Sequence, residues 1–396
     1  MISNSEIILF DYLTTEELSN GSHPDAYTIN SIINWATKKG KSVEYKSYSD
    51  FGFYGLMASF ARKTNTRTDV SRKGNINYLF TGIFYIFSYF VSRIDFPMRV
   101  KINELLNLGN SKKTIILSYP YLVHTFKKIV ANHRMGAEIV LLEHNIEEKY
   151  LKFNMQYLSS RNLGQLILQI IEKIEREAID DSDAILVVSN KDKNSIQKIS
   201  GGKEIQVVSK PDRIPYFELS SPIFEPSFLK LDFRPAPTAL NILFLGSNTR
   251  MNYESVKCLI SLSNMLKDVS AQLNIFIVGN VFRQFIGSEN LPHNVHFIGY
   301  VNKLQDVLTY ADLFFLSDKM GTGFEVKAYA YESYDRPIVV LMERGNRIEN
   351  EYKGNGKNQY IYATSLQDIA NLVLRIIQIR LKRRYSTLFK IPLTYH

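Results

Sequence analysis

The stretch Asn241-Ile-Leu-Phe-Leu-Gly246-Ser-Asn-Thr-Arg250 decides the fold. An apolar strand that breaks at Gly246-Ser247 before a polar helix start opens a β/α unit. The exposed backbone N–H groups of such a turn suit an anion, with the Ser247 hydroxyl beside them and Arg250 as a bidentate clamp. Farther on stand Gly321-Thr322-Gly323-Phe-Glu325-Val-Lys327 and then Arg336-Pro-Ile-Val-Val340. Glycines let the backbone approach closely, and a lysine one helical turn later reaches the same anion from another side. Two such elements in one α/β unit point to a nucleoside diphosphate.

Outward from this stretch, short apolar runs alternate with helical patterns, which predicts parallel sheets in β/α order. In the first half the runs are 6–10, 43–46, 114–118, 138–142, 184–189 and 205–208. In the second they are 242–245, 274–278, 295–298, 312–316, 338–341 and 359–362. Six of the twelve prolines fall between Pro211 and Pro237, a compositional break of the kind that joins domains. The expectation is an N-terminal domain over 1–210, a linker over 211–238, a C-terminal domain over 239–375 that carries the two nucleoside-diphosphate elements, and a basic helix and tail over 376–396. Ser365 and Asp368 cap a last helix running to about Arg384.

At 396 residues the chain exceeds one ordinary core. With 45% hydrophobic and 22% charged residues it is globular rather than disordered. The single cysteine, Cys258, excludes an intrachain disulfide framework and fits a reducing compartment. The polar start Met1-Ile-Ser-Asn-Ser-Glu6 reads as a chain without a secretory leader, so a cytoplasmic location is expected. A net charge of +9 favours anionic partners. The basic residues do not interleave with aromatics in a nucleic-acid module, so no specific nucleic acid is expected.

The segment Ile76–Val91 interrupts the alternation with seven aromatics in sixteen residues. It is flanked by Arg62, Lys63, Arg67, Arg72 and Lys73 on one side and by Arg93, Arg99 and Lys101 on the other. The run is too short and too polar to span a bilayer. It reads either as a buried helix or as an interfacial one, in which case residues 62–101 meet an anionic membrane surface.

These motifs resemble the family 4 (group 1) glycosyltransferases of GT-B fold over roughly residues 110–375: Gly321-Thr322-Gly323 with Lys327, then Arg336-Pro-Ile-Val at the usual separation. The resemblance implies an α/β fold of two doubly wound, Rossmann-like domains facing each other across a cleft. It also implies a retaining, metal-independent transfer from a nucleoside-diphosphate sugar to a glycan or lipid-linked acceptor, with no cofactor beyond that co-substrate. Leu142-Glu-His144-Asn-Ile-Glu147 looks like the family segment whose histidine lies beside the transferred sugar. The resemblance thus makes His144, Lys327 and Arg250 the catalytic candidates, and Gly246, Ser247, Gly321, Thr322, Gly323, Glu325 and Glu332 the donor-side ones. The loop Asn20-Gly21-Ser22-His23 is either acceptor-side or a simple helix cap.

Where the family carries a glutamate for the donor ribose, this chain has Ala330, with Thr322 eight residues earlier. Either the ribose is held differently, or the donor is unusual, or nucleotide affinity has been lost. A non-catalytic binding protein and a nucleotide-sugar epimerase on the same fold are the alternatives. Asp181-Ser182-Asp183 precedes its strand instead of following it, and no His/Asp/Glu group has metal-ligand spacing, so no metal site is expected.

Overall fold

The computed structural model describes residues 6–11, 24–48, 82–84, 86–90, 100, 113–132, 136–144, 146–154, 162–208, 239–247, 250–285, 291–299, 301, 304–318, 327–332, 334–342 and 360–388. The chain divides into two compact units, each built on its own six-stranded sheet. All strand pairings in both sheets are parallel. Strands were expected at twelve places and strands stand at all twelve, with ends shifted by a residue or two.

The first sheet runs β2-β1-β3-β4-β5-β6, from β1 (Glu6–Asp11), β2 (Val43–Ser47), β3 (Lys113–Ser118), β4 (Ala137–Glu143), β5 (Ala184–Val187) and β6 (Ile205–Val207). Helices α1 (Pro24–Lys38), α2 (Val123–Asn132), α3 (Glu147–Asn154), α4 (Asn162–Asp181) and α5 (Asn190–Gln197) accompany it. Strands covered on both faces read as unbroken apolar runs, because neither face can carry polar side chains. Accordingly Ile8, Phe10, Ile115, Leu117, Ile139 and Leu141 enter one apolar layer, while Ile7, Leu9, Ile116, Val140 and Leu142 enter the other.

The second sheet runs β12-β11-β10-β7-β8-β9. Its strands are β7 (Leu240–Leu245), β8 (Leu273–Val278), β9 (Val295–Gly299), β10 (Leu313–Asp318), β11 (Ile338–Met342) and β12 (Tyr360–Ala363). Helices α6 (Arg250–Met265), α7 (Leu304–Leu308), α8 (Lys327–Glu332) and α9 (Leu366–Leu388) complete this unit. One face of the sheet packs Ile242, Phe244, Ile277 and Phe315 against Val256, Leu259 and Leu262 of α6 and Ile369, Val373 and Ile377 of α9. The final helix was expected to end near Arg384 and continues to Leu388. The capping expectation is met: the Asp368 carboxylate accepts from Ser365 N and Oγ, and the Ser365 hydroxyl accepts from Asp368 N. Farther along, Arg380 forks onto both carboxylate oxygens of Asp312 at 2.6 and 3.1 Å, pinning α9 to the second unit.

Both sheets reverse direction of growth in the middle, between β1 and β3 in the first unit and between β7 and β10 in the second. At such a reversal the connections leave toward opposite faces, which opens a crevice at the strand C-termini where ligands bind in this architecture.

Candidate active site

In the second unit the reversal has an observable consequence. β7 and β10 pair only at Leu313↔Ile242 and Phe314↔Leu243, although both strands continue beyond. The next β7 donor on that side, Leu245 N–H, is satisfied by the hydroxyl of Tyr331 at 2.8 Å. Tyr331 is fully buried in α8 and stacks on Phe314 with ring centroids 4.3 Å apart. It stands in for the missing strand partner and holds α8 against the parting strands.

The turn after β7 is built by two glycines. A Cβ at Gly246 would lie 2.8 Å from both Phe244 and Val281 side chains. Gly279, at φ +105°, would place a Cβ 2.4 Å from the Gly246 carbonyl oxygen. Both positions therefore exclude a side chain, and the left-handed φ of Gly279 adds its own demand for glycine. The Gly246 N–H donates to Val278 O at 2.8 Å, so the phosphate donor expected there is already occupied. The first residue of the turn exposed to solvent is Ser247.

Ser247 is tied to Lys327 through a residue that the sequence did not single out. The Asn252 amide donates to Ser247 O and Oγ, each at 3.0 Å, and its Oδ1 accepts from Lys327 Nζ at 2.7 Å. The same ammonium lies 4.3 Å from the Phe244 ring centroid, a cation–π contact. Arg250 opens α6 and is buried at 6% exposure, so it is not a surface arginine. Two cations, a hydroxyl and a helix start thus share the end of β7. Glu332 accepts from the Tyr360 hydroxyl at 2.5 Å and so ties α8 to β12. Gly321, Thr322, Gly323 and Glu325 lie outside the described residues, directly after β10 in sequence.

In the first unit, Asp11, Ser118 and His144 stand at or next to the C-termini of β1, β3 and β4. His144 is buried at 4% exposure, with Nε2 3.6 Å from Asp11 Oδ2 and 3.4 Å from Ser118 Oγ. Both distances turn the Nε2 edge of the ring toward the carboxylate and the hydroxyl. Tyr48 donates to Ser118 O at 2.9 Å and steadies the end of β3. Tyr119 follows with φ 72°, the positive-φ non-glycine among the described residues, and its ring lies 5.3 Å from that of His144. A tyrosine held there costs about 1–3 kcal/mol, strain of the kind that gathers at functional sites.

Behind His144 lies a group of buried acids. Glu143 is fully buried, and its carboxyl is pushed well above the usual range by burial and by the neighbouring Glu175, Glu147 and Asp192. Burial raises Glu175 to about 8, while its Oε1 accepts from Glu147 N at 2.8 Å and caps α3. Glu175 therefore enters the fold as a neutral acid at moderate pH.

Asp181 pairs with His124 at 2.6 Å. Asp183 pairs with Lys127 at 2.6 Å and accepts from Ile139 N at 2.8 Å. Both carboxylates therefore brace α2 and β4. Among the described residues no group of His, Cys, Asp and Glu is arranged to hold a metal. Gly21, Ser22 and His23 lie outside the described residues. Asp11, Asn252, Gly279 and Tyr331 had not been singled out. Of these, only Asp11 carried a signal in sequence, as a lone carboxylate ending an otherwise apolar strand.

No curated protein matches the chain at a significant level. Among solved structures it is similar to TarM, at 14% identity over 72% of this chain and 51% of that one, with a TM-score of 0.48. It is also similar to the lipopolysaccharide outer core galactosyltransferase WaaB, at 12% identity over 94% and 90% of the two chains, TM-score 0.46. A third is a trehalose-6-phosphate synthase, at 10% identity over 97% and 94%, TM-score 0.49. The chain spans about half the length of TarM. The model of the family described as "Glycosyl transferases group 1" matches residues 239–379, which begin just before β7 and end within α9. The matched stretch, with its Gly246 turn and Lys327 helix, is where this chain is similar to the group 1 glycosyl transferases.

Proposed function

We propose that this protein is a glycosyltransferase that moves a sugar from a nucleoside-diphosphate sugar to a glycan or lipid-linked acceptor. The observation that carries this reading is the Ser247–Asn252–Lys327 network at the reversal of the second sheet. Both glycine elements follow the two strands that part there, β7 and β10.

In the transfer, the bond from the anomeric carbon to the phosphate oxygen breaks and the diphosphate leaves with the electron pair. The acceptor oxygen bonds to the anomeric carbon and passes its proton to the departing diphosphate oxygen. Negative charge grows on the leaving oxygen, so cations fixed beforehand stabilise the transition state more than the ground state. Lys327 and Arg250 supply that charge without a metal ion, and His144, aligned by Asp11, serves the sugar. Retention of anomeric configuration follows the family pattern. We further assign the enzyme to the cytoplasmic side of a membrane, as a peripheral protein.

Ala330 favours a second reading, a nucleotide-sugar-binding protein without turnover. The test is release of nucleoside diphosphate from a panel of nucleotide sugars, with and without glycan and lipid-linked acceptors and with a chelator present. Acceptor-dependent, chelator-insensitive release supports the enzyme. Binding without release supports the second reading, and neither binding nor release defeats both.

A further inference from the structure

The first unit carries an apolar surface that none of these roles uses. In the helical residues 82–84 and 86–90, Phe84, Ser88 and Tyr89 are buried, whereas Ile83, Phe87 and Phe90 are 43%, 43% and 54% exposed. Positions 83, 87 and 90 are spaced i, i+4, i+7, so the three exposed side chains form one stripe. The buried side joins a cluster with Ile167, Leu168 and Ile171 of α4. Contact is close: a Cβ on Gly82 would lie 2.7 Å from Ile167 Cγ2. On α4, Leu163, one turn before Ile167, and Leu166, next to it, are 54% and 52% exposed.

Five large apolar side chains therefore stand exposed on two helices in contact. Singly exposed residues of this kind are ordinary, but a cluster marks an interaction surface. Neither contributing stretch holds a charge: residues 82–90 have none, and α4 has none before Glu172. The basic residues lie beyond the segment in sequence, at Arg62, Lys63, Arg67, Arg72 and Lys73 before it and Arg93, Arg99 and Lys101 after it. An exposed apolar stripe whose flanking sequence is basic matches an anionic bilayer surface, where rings enter the headgroup boundary and cations meet lipid phosphates. Among the described residues no helix is long and apolar enough to cross a membrane.

We propose that Ile83, Phe87, Phe90, Leu163 and Leu166 form a docking face that seats the first unit on an anionic membrane. The proposal deepens the glycosyltransferase reading by naming where a lipid-borne acceptor is met, and it rests on that reading for the acceptor alone. Docking itself needs no donor.

The test is co-sedimentation of the full chain with phosphatidylcholine vesicles, with and without phosphatidylglycerol, at low and high salt. Two variants are compared, Phe87→Ser with Phe90→Ser, and Leu163→Ser with Leu166→Ser. Because these side chains are exposed, both variants are expected to unfold at the wild-type temperature. The expected result is wild-type binding to anionic vesicles that fades with salt, and about tenfold weaker partition for each variant. Equal binding by wild type and variants overturns the proposal, as does wild type that ignores anionic vesicles at low salt. Wild type that self-associates, with monomeric variants and no lipid binding, also overturns it and gives the face to a second copy of this chain. Vesicle binding by a protein that turns over no nucleotide sugar leaves docking intact and defeats the glycosyltransferase reading alone.

Discussion

The Lys327 ammonium lies 2.7 Å from Asn252 Oδ1, and the amide of the same asparagine holds both oxygens of Ser247. A flexible cation and the turn after β7 are thereby fixed relative to each other before any ligand arrives. Such preorganisation reduces the ordering cost of binding. Lys327→Ala should weaken nucleoside-diphosphate binding by about 2 kcal/mol, and Asn252→Ala by about 1 kcal/mol. Calorimetry on the two variants checks this. Unchanged affinity in Asn252→Ala would show that the asparagine does not position the lysine.

Gly279 supports the same turn from behind. A side chain there collides with the Gly246 carbonyl at 2.4 Å and must adopt a left-handed backbone. Gly279→Ala should destabilise the second unit by about 1–3 kcal/mol and weaken donor binding together with it. Thermal unfolding at the wild-type temperature would contradict the geometry of this turn.

His144 and Asp11 should separate turnover from binding. The proposed contact of His144 is with the sugar, so His144→Ala should lower the rate at saturating donor by about a hundredfold while donor affinity changes little. Asp11→Asn should reproduce part of that loss through misalignment. A His144→Ala variant with weaker donor binding and an unchanged saturated rate rules out this role.

Glu175 makes stability depend on pH. Burial raises its folded-state value to about 8 from the ordinary 4.5. Between these values the unfolded chain releases a proton that the folded chain keeps, so the folded state is penalised progressively as pH rises and fully above 8. Glu175→Gln removes the ionisation while keeping an acceptor for Glu147 N. It should flatten the decline in stability between about pH 5 and 8. Denaturant unfolding of wild type and variant across that range is the check, and parallel curves would exclude Glu175 as the source.

The strands were legible because a parallel sheet covered on both faces writes itself as continuous apolar runs, as in Ile7–Phe10 and Ile242–Leu245. The turn at Gly246 was legible because a glycine ends an apolar run before a polar helix start, but the phosphate donor expected at its N–H was not, since that group pairs with Val278 O across the sheet. Asn252 and Tyr331 were not legible. Their roles depend on β7 lying beside β10, a neighbour some seventy residues away in sequence, and on the two strands parting after Leu243. Nor was the burial of Phe84 against the exposure of Phe87, since both satisfy one aromatic pattern and only packing on α4 tells them apart.

The central claim is that the parting of β7 and β10 holds a nucleoside diphosphate. It is tested most directly by titrating nucleoside diphosphates and their sugars into wild type and Lys327→Ala, with folding verified for both. The account predicts saturable, one-to-one binding of at least one nucleotide by wild type, about thirtyfold weaker in the variant. Binding of equal strength to both proteins, or no binding of any nucleotide to wild type, would contradict it.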